Sequence, residues 1–188
     1  MIRSTHRLIA TFAYAALLVT VSACSTGDAP PPRNLDRQPA PEFSLRTISG
    51  QTLDRAALKG QIVIVNFWAV WSPACAREIP ELIQLRDSLG KNRERVTVIG
   101  VCLENDSLRD LNDFIGQLGV NYPVAVQENQ FTDQFGGIDA IPTTFVIDPD
   151  WHIVNRYTGK VQIKELRDEL QYMLDEIHAA EQAAREKK

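Results

Sequence analysis

Ser72 and Cys75 are the residues best placed for chemistry in this 188-residue chain, because they bracket the start of a predicted helix. The largely apolar run 62–67 ahead of them is typical of a buried parallel strand. An amphipathic pattern then begins at Pro73. Backbone N–H groups and the helix dipole stabilise negative charge at such an N-terminus, so a cysteine there is expected to have a lowered pKa. The pattern predicts a reactive thiol at a strand-to-helix junction.

Strands and helices alternate along the rest of the chain. The predicted strands are 62–68, 96–103 and 141–148, the last turning at Pro149 and returning over 152–157. The predicted helices are 73–89 with a kink at Pro80, 107–118 and 163–178. A hairpin is predicted over 43–53, and no core is expected before Phe43. This order predicts an α/β fold in which helices flank a central mixed β-sheet with an N-terminal β-hairpin.

The N-terminal segment carries the pattern of a targeting signal. Arg3 and Arg7 precede an apolar stretch too short for a comfortable membrane span. The stretch ends in Val21-Ser22-Ala23-Cys24, which resembles a bacterial lipobox and implies that Cys24 becomes lipidated. An ordinary cleaved signal peptide with a chance cysteine, or an uncleaved anchor, is the alternative.

These features divide the chain into four parts. They are a signal peptide over 1–23, a Pro-rich membrane tether over 24–41, a folded domain over 42–178 and a charged C-terminal tail over 179–188. We expect a bacterial envelope protein, lipid-anchored, with its domain facing the periplasm. The outer membrane is favoured over the inner one because Ser25, rather than aspartate, follows the cysteine.

The stretch Asn66-Phe67-Trp68-Ala69-Val70-Trp71-Ser72-Pro73-Ala74-Cys75, followed by Arg77-Glu78-Ile79-Pro80, carries a family resemblance. It resembles the Phe-Trp-Ala-x-Trp-Cys-x-x-Cys-x-x-Glu-x-Pro segment of the thioredoxin-like TlpA/ResA family, AhpC/TSA-related redoxins of the bacterial envelope. The resemblance covers about residues 39–178 and implies a thioredoxin-like fold. It fails at the first cysteine of the motif, which is Ser72 here, and at a turn glycine, which is Trp151.

The resemblance also implies roles for individual residues. The proline matching Pro142 is cis in the family and faces the redox motif. A partner groove is therefore expected from Trp71, Pro73, Ile141, Pro142 and Thr143. Glu78 matches an acidic residue that is thought to tune thiol protonation. Its carboxylate would raise a nearby thiol pKa and could relay protons.

Loss of the first cysteine limits the chemistry. Thiol–disulfide exchange needs one thiolate to attack and a second thiol to release the mixed disulfide. The Ser72 hydroxyl cannot replace the attacker, and Cys75 holds the position that normally resolves. Cys102, at the end of the second predicted strand, is either a new partner for Cys75 or a small core residue. We expect no stable disulfide between Cys75 and Cys102 in the resting fold.

Three functions remain open. The first is a cell redox role of the thiol:disulfide oxidoreductase type through Cys75, with Ser72, Glu78 and Cys102 as the other candidate catalytic residues. The second is a non-catalytic binding or chaperone module that keeps the groove. The third is a thiol peroxidase, because Ser72-Pro73-Ala74-Cys75 is similar to the Thr/Ser-x-x-Cys of peroxiredoxins. That similarity lacks the family's proline, replaced by Trp68, and its arginine near 141–144.

Composition and charge limit the classes of partner that the chain is expected to bind. The formal charge is −4 with lysine and arginine scattered along the chain, so we expect no nucleic acid partner. Three cysteines do not make a disulfide-stapled scaffold, and the histidines and cysteines lack metal-ligand spacing. We expect no metal and no cofactor. The expected partners are a protein thiol or disulfide in the envelope and, through Cys24, the lipid bilayer.

Overall fold

The structure is a computed structural model, and it describes residues 37–103, 107–127 and 131–187. The predicted signal peptide, Cys24 and most of the predicted tether lie outside these residues. None of the helices in the part described is long and apolar enough to cross a bilayer.

A six-stranded mixed sheet forms the centre of the domain, in the order β1-β8-β7-β4-β5-β6, and β2 and β3 form a separate antiparallel hairpin. The strands are β1 (Gln38–Pro39), β2 (Ser44–Arg46), β3 (Thr52–Asp54), β4 (Ile62–Trp68), β5 (Val96–Cys102), β6 (Val124–Val126), β7 (Thr143–Ile147) and β8 (His152–Thr158). Strand β4 pairs in parallel with β5 and antiparallel with β7, so it lies inside the sheet with its backbone satisfied on both edges.

Within the described ranges, four α-helices and a 3-10 helix flank the sheet. They are α1 (Pro73–Ser88), α2 (Leu108–Leu118), α3 (Phe131–Gln134) and α4 (Ile163–Glu186), with the 3-10 helix at Gly90–Arg95. Ser107 caps α2 by accepting a hydrogen bond from the Asp110 N–H, and Gly119 ends it in the left-handed conformation. Pro80 lies inside α1, which continues through it.

Alternate residues of β4 face two separate cores, as the period of a strand requires. Ile62, Ile64 and Trp68 belong to the helix-side core, which includes buried residues of α1, α2 and α4. Val63, Val65 and Phe67 belong to the hairpin-side core, which contains residues of the β2–β3 hairpin and of α3. This two-sided burial explains why β4 is apolar throughout apart from Asn66.

Gly100 on β5 makes room for the largest side chain of the helix-side core. A Cβ atom at Gly100 would lie 2.7 Å from Nε1 of Trp68 and 3.1 Å from Cε2 of Tyr122. Any other residue there would force the indole to move, so the close approach of Trp68 to β5 requires glycine.

The two ends of β4 carry different parts of the fold. Trp68 at its C-terminal end leads into α1, and the paired residue on β7 near that end is Thr143. At the other end, Val63 pairs with Ile147, just before the turn that joins β7 to β8. The chain enters the sheet at this second end, since Pro39 of β1 pairs with His152.

Two predicted boundaries were wrong. Gln38–Pro39 is a strand and Ala40 is buried in the hairpin-side core, so the fold begins before Phe43. The last helix continues past the predicted end at residue 178 to Glu186. Its final two turns are rich in alanine, glutamate and arginine, which are strong helix formers. Arg95 also forms an ion pair with Glu181 there.

Trp151 occupies the turn between β7 and β8 with φ 69°, the left-handed conformation that glycine adopts at little cost. The structure offsets this strain with contacts. The indole is buried, its Nε1 donates to the Pro41 carbonyl at 3.2 Å, and its ring lies 5.3 Å from the ring of Phe43. The backbone N–H of Ala40 donates to the Trp151 carbonyl at 2.9 Å. Trp151 therefore fastens the N-terminal segment to the sheet.

Candidate functional site

Ser72 is the N-cap residue of α1. Its backbone is extended (φ −88°, ψ 111°), and its Oγ accepts a hydrogen bond from the Cys75 N–H at 3.4 Å. Pro73 follows in the first turn, where the missing N–H costs nothing. The strand-to-helix junction predicted from the sequence is therefore present, and the Ser72 hydroxyl serves it as a helix cap.

Cys75 lies in the first turn of α1 with no exposed surface. Burial raises the pKa of its thiol, and the nearby charge of Glu78 raises it further. Hydrogen bonding to Ser72 and to the backbone of Ala69 opposes this without reversing it. The expectation of a lowered pKa was wrong, because desolvation outweighs the helix N-terminus when the sulfur is shielded from water. At neutral pH the resting thiol is protonated.

Glu78 lies one helical turn after Cys75 and is equally buried. Its Oε1 accepts from Nδ2 of Asn66 at 2.7 Å, and its Oε2 accepts from the backbone N–H of Val161 at 2.6 Å. Burial raises the pKa of this carboxyl, while these two hydrogen bonds and Lys160 lower it in part. Positions three apart on a helix share a face, so Glu78 lies on the same side of α1 as Cys75 and its charge acts on the thiol.

Asn66 and Thr144 belong to the same buried cluster, and sequence reasoning missed both as site residues. Nδ2 of Asn66 also donates to Oγ1 of Thr144, at 2.8 Å. The signal for Asn66 was in the sequence, since it is the one polar residue in the otherwise apolar strand β4. Nothing comparable marked Thr144, whose neighbour Asn66 is 78 positions away along the chain.

The five residues of the predicted partner groove differ in exposure. Trp71 is 63% exposed, Pro73 is exposed and Ile141 is half-buried. The Ile141–Pro142 peptide bond is cis. Pro142 and Thr143 are buried, and the Thr143 hydroxyl donates to the Ala140 carbonyl at 2.8 Å. Trp71 and Pro73 are therefore the most exposed of the five residues.

Cys102 is the last residue of β5, in register with Trp68 of β4. It is fully buried in the helix-side core that also contains Cys75. Both cysteines therefore lie on the α1 side of the sheet. No disulfide joins them in this structure.

The arrangement brings a buried thiol and a buried carboxyl to one face of α1, and neither Cys75 nor Cys102 is exposed. No group of three or more His, Cys, Asp or Glu side chains within the described ranges could hold a metal ion. The chemistry available here is that of the two buried thiols and the Glu78 carboxyl.

The chain matches a known protein family and has relatives of known type. Residues 37–156 match the model of the AhpC/TSA family. A thiol-disulfide oxidoreductase, ResA of Bacillus thuringiensis (strain Al Hakam), is 31% identical over 127 residues, which are 67% of this chain and 70% of the relative.

Two solved structures share the architecture. A thiol:disulfide interchange protein of the thioredoxin family from Chlorobium tepidum TLS has a TM-score of 0.64 at 31% identity, covering 73% of this chain and 97% of the other. StoA from Bacillus subtilis has a TM-score of 0.60 at 24% identity, covering 70% and 97%. The predicted thioredoxin-like fold, with its central mixed sheet and flanking helices, is confirmed.

Proposed function

This chain belongs to the AhpC/TSA family, and from that premise we propose that it acts on protein thiols or disulfides of the bacterial cell envelope through Cys75. The resemblance to TlpA/ResA-type thioredoxin-like proteins is confirmed, and the thiol-disulfide oxidoreductases are its relatives. One observation carries the proposal: Cys75 remains at the first turn of α1 with a buried carboxyl, Glu78, one turn away.

The proposed reaction uses Cys75 as a single thiol. Glu78 takes the proton from the Cys75 sulfur, and the resulting thiolate attacks a disulfide of the partner. A bond forms between Cys75 and one partner sulfur, the partner's S–S bond breaks, and the second partner sulfur leaves as a thiolate. Because Cys75 is shielded, the reaction requires a local opening that exposes its sulfur.

A second thiol must then release the partner. Cys102 is one candidate because it lies on the same side of the sheet as Cys75. In that case a Cys75–Cys102 disulfide forms and the partner leaves with both sulfurs reduced. The alternative source is the partner's own second thiol, which would regenerate its disulfide and leave Cys75 as a thiol.

The location is part of the proposal. The lipobox-like segment supports lipidation at Cys24, and the Pro-rich residues 24–36 would tether the domain at the envelope membrane, with the outer membrane favoured. The partner would then be a periplasm-facing protein.

Oxidised glutathione tests the reaction on the purified protein, since it is a disulfide of defined mass. We expect a glutathione adduct on Cys75 in wild type, found by mass spectrometry after acid quenching and alkylation. Cys75→Ser should lose the adduct. If Cys102 resolves, Cys102→Ser should accumulate it. Absence of both a Cys75 adduct and a Cys75–Cys102 disulfide in wild type, even in mild denaturant that opens the site without unfolding the domain, would contradict the proposal.

A non-catalytic binding module is the second candidate, favoured by the exposure of Trp71 beside a shielded Cys75. It predicts that an extended peptide binds equally well to wild type and to Cys75→Ser, and that Trp71→Ala weakens binding. The redox proposal predicts instead that Cys75→Ser abolishes covalent capture of a peptide that contains a disulfide.

A further inference from the structure

The side-chain amide of Asn66 bridges two oxygen atoms in the buried site. Its Nδ2 donates to Oε1 of Glu78 at 2.7 Å and to Oγ1 of Thr144 at 2.8 Å. Its other end, Oδ1, is buried and accepts no hydrogen bond from any residue that the structure describes. The NH2 end of the amide therefore makes both of its hydrogen bonds to side chains.

A half-turn of this amide would keep both neighbours if both of them could donate. The hydroxyl of Thr144 can donate or accept, because its hydrogen rotates. The carboxyl of Glu78 can donate only when it is protonated. The protonation state of Glu78 therefore favours one end of Asn66 over the other, because either orientation keeps a bond to Glu78 and to Thr144 and leaves the opposite end of the amide without a partner among the described residues.

We propose that Asn66 is a positioning residue for Glu78 during proton transfer from Cys75, and that its amide turns over when Glu78 gains the proton. This inference rests on the proposed function. In the step, the S–H bond of Cys75 breaks and an O–H bond forms on Glu78. Oδ1 of Asn66 then accepts from the new O–H and from the Thr144 hydroxyl, while Oε2 of Glu78 stays on the Val161 N–H.

Several titratable groups lie close enough to Glu78 to affect its pKa. Cys75 and Glu81 face it from α1, Tyr122 from the segment before β6, and Lys160 from the loop before α4. Lys160 is the one cation among these groups, and its Nζ binds Glu81 at 2.6 Å. Burial therefore dominates, and the pKa of Glu78 is raised.

NMR of the purified wild-type protein tests the turnover without any partner. The carboxyl carbon of Glu78 and the side-chain amide of Asn66 are followed across pH. We expect the Asn66 resonances to move with the same midpoint as Glu78. Glu78→Gln should hold them at their low-pH positions at every pH, because the glutamine amide donates to Oδ1 as a protonated carboxyl does.

Two matched variants separate positioning from simple packing. Asn66→Leu removes the hydrogen-bond donor to ionised Glu78. The titration midpoint of Glu78 should rise by about one pH unit, because a hydrogen bond stabilises a charged group more than a neutral one by about that free energy. Thr144→Val removes one bond from both amide orientations and should leave the midpoint in place, with Thr144→Ser restoring wild-type stability.

The inference is overturned if the Asn66 resonances stay still while Glu78 titrates, or if Thr144→Val moves the midpoint as far as Asn66→Leu does. The wild-type titration decides the matter even if Asn66→Leu does not fold. Failure of the proposed function looks different, since Cys75 would then form no glutathione adduct while Asn66 still turned over with Glu78.

Discussion

A hydroxyl in place of a thiol at Ser72 changes two properties of the site at once. Under the proposed function, it leaves the site without the attacking thiol of a two-cysteine motif, and its Oγ caps α1 by accepting a hydrogen bond from the Cys75 N–H. Reactivity then depends on how Cys75 loses its proton.

Restoring the first cysteine should restore a two-thiol site. In Ser72→Cys, the new thiol at the helix start and Cys75 are expected to form a disulfide, and the reduced protein should reduce insulin above the wild-type background. The weaker cap should lower the free energy of unfolding by about 1 kcal/mol. Ser72→Ala is the matched control, since it loses the cap without gaining a thiol. A folded Ser72→Cys that stays inert would contradict the family-like geometry of the site.

Glu78 should make stability depend on pH in a defined direction. Its pKa is raised in the folded protein above the ordinary value of 4.5, so the folded state binds more protons than the unfolded state between the two values. The contribution of Glu78 is complete below 4.5 and is lost as pH rises through the folded pKa.

Chemical denaturation of wild type and Glu78→Gln across pH measures this effect. The variant should become more stable relative to wild type as pH rises above 4.5, and the difference should level off once Glu78 is ionised in the folded state. A difference that is the same at every pH would show that the folded structure does not hold the proton on Glu78.

At the scale of elements, the turn between β7 and β8 combines a strained backbone at Trp151 with a well-packed side chain. Trp151→Gly relieves a left-handed conformation worth about 1–2 kcal/mol. It also removes a buried indole, whose truncation costs about 3–5 kcal/mol. The lost packing should outweigh the relieved strain, so we expect the free energy of unfolding to fall by about 2 kcal/mol, measured by chemical denaturation.

Trp151→Phe is the control for the indole N–H. It keeps an aromatic ring near Phe43 and loses the hydrogen bond to the Pro41 carbonyl, worth about 1 kcal/mol. Wild-type stability in Trp151→Gly would mean that the strain at φ 69° equals everything the indole contributes.

Elements with a strong local pattern were predictable. Strands β4 and β5 are near-continuous apolar runs, and Ser107 and Gly119 mark the ends of α2. The short strand β1 was not predictable, because two residues, one of them proline, carry no periodicity. The 3-10 helix at Gly90–Arg95 was missed for a similar reason, since it buries no side chain.

The site was predictable where it is local in sequence. Cys75, Ser72 and Glu78 lie within one stretch whose type and spacing indicate a thiol at a helix start. The contacts that tune it join distant positions, as between Glu78 and the N–H of Val161, 83 positions apart. Burial of Cys75, which reverses the expected pKa shift, likewise depends on packing of the whole helix-side core.

At the scale of the molecule, the site and the chain entry lie at opposite ends of β4. Trp71 and Cys75 follow its C-terminal end, while β1 enters beside His152 near its N-terminal end. Seven strand residues separate the two ends by about 20 Å.

The last prediction concerns that tether. If Cys24 is lipidated, the 13 residues 24–36 span at most about 45 Å, so the domain stays within about that distance of the membrane. Cys24→Ser should leave the precursor unprocessed, or release the domain as a soluble form if another peptidase cuts it. Fractionation of the envelope and mass spectrometry of the N-terminus measure both outcomes. Cys102→Ser is the control, since it removes a cysteine without touching the signal and should stay membrane-bound. Wild-type protein cut at another position, with Cys24 unmodified, would contradict the lipid anchor while leaving the thiol chemistry of Cys75 untouched.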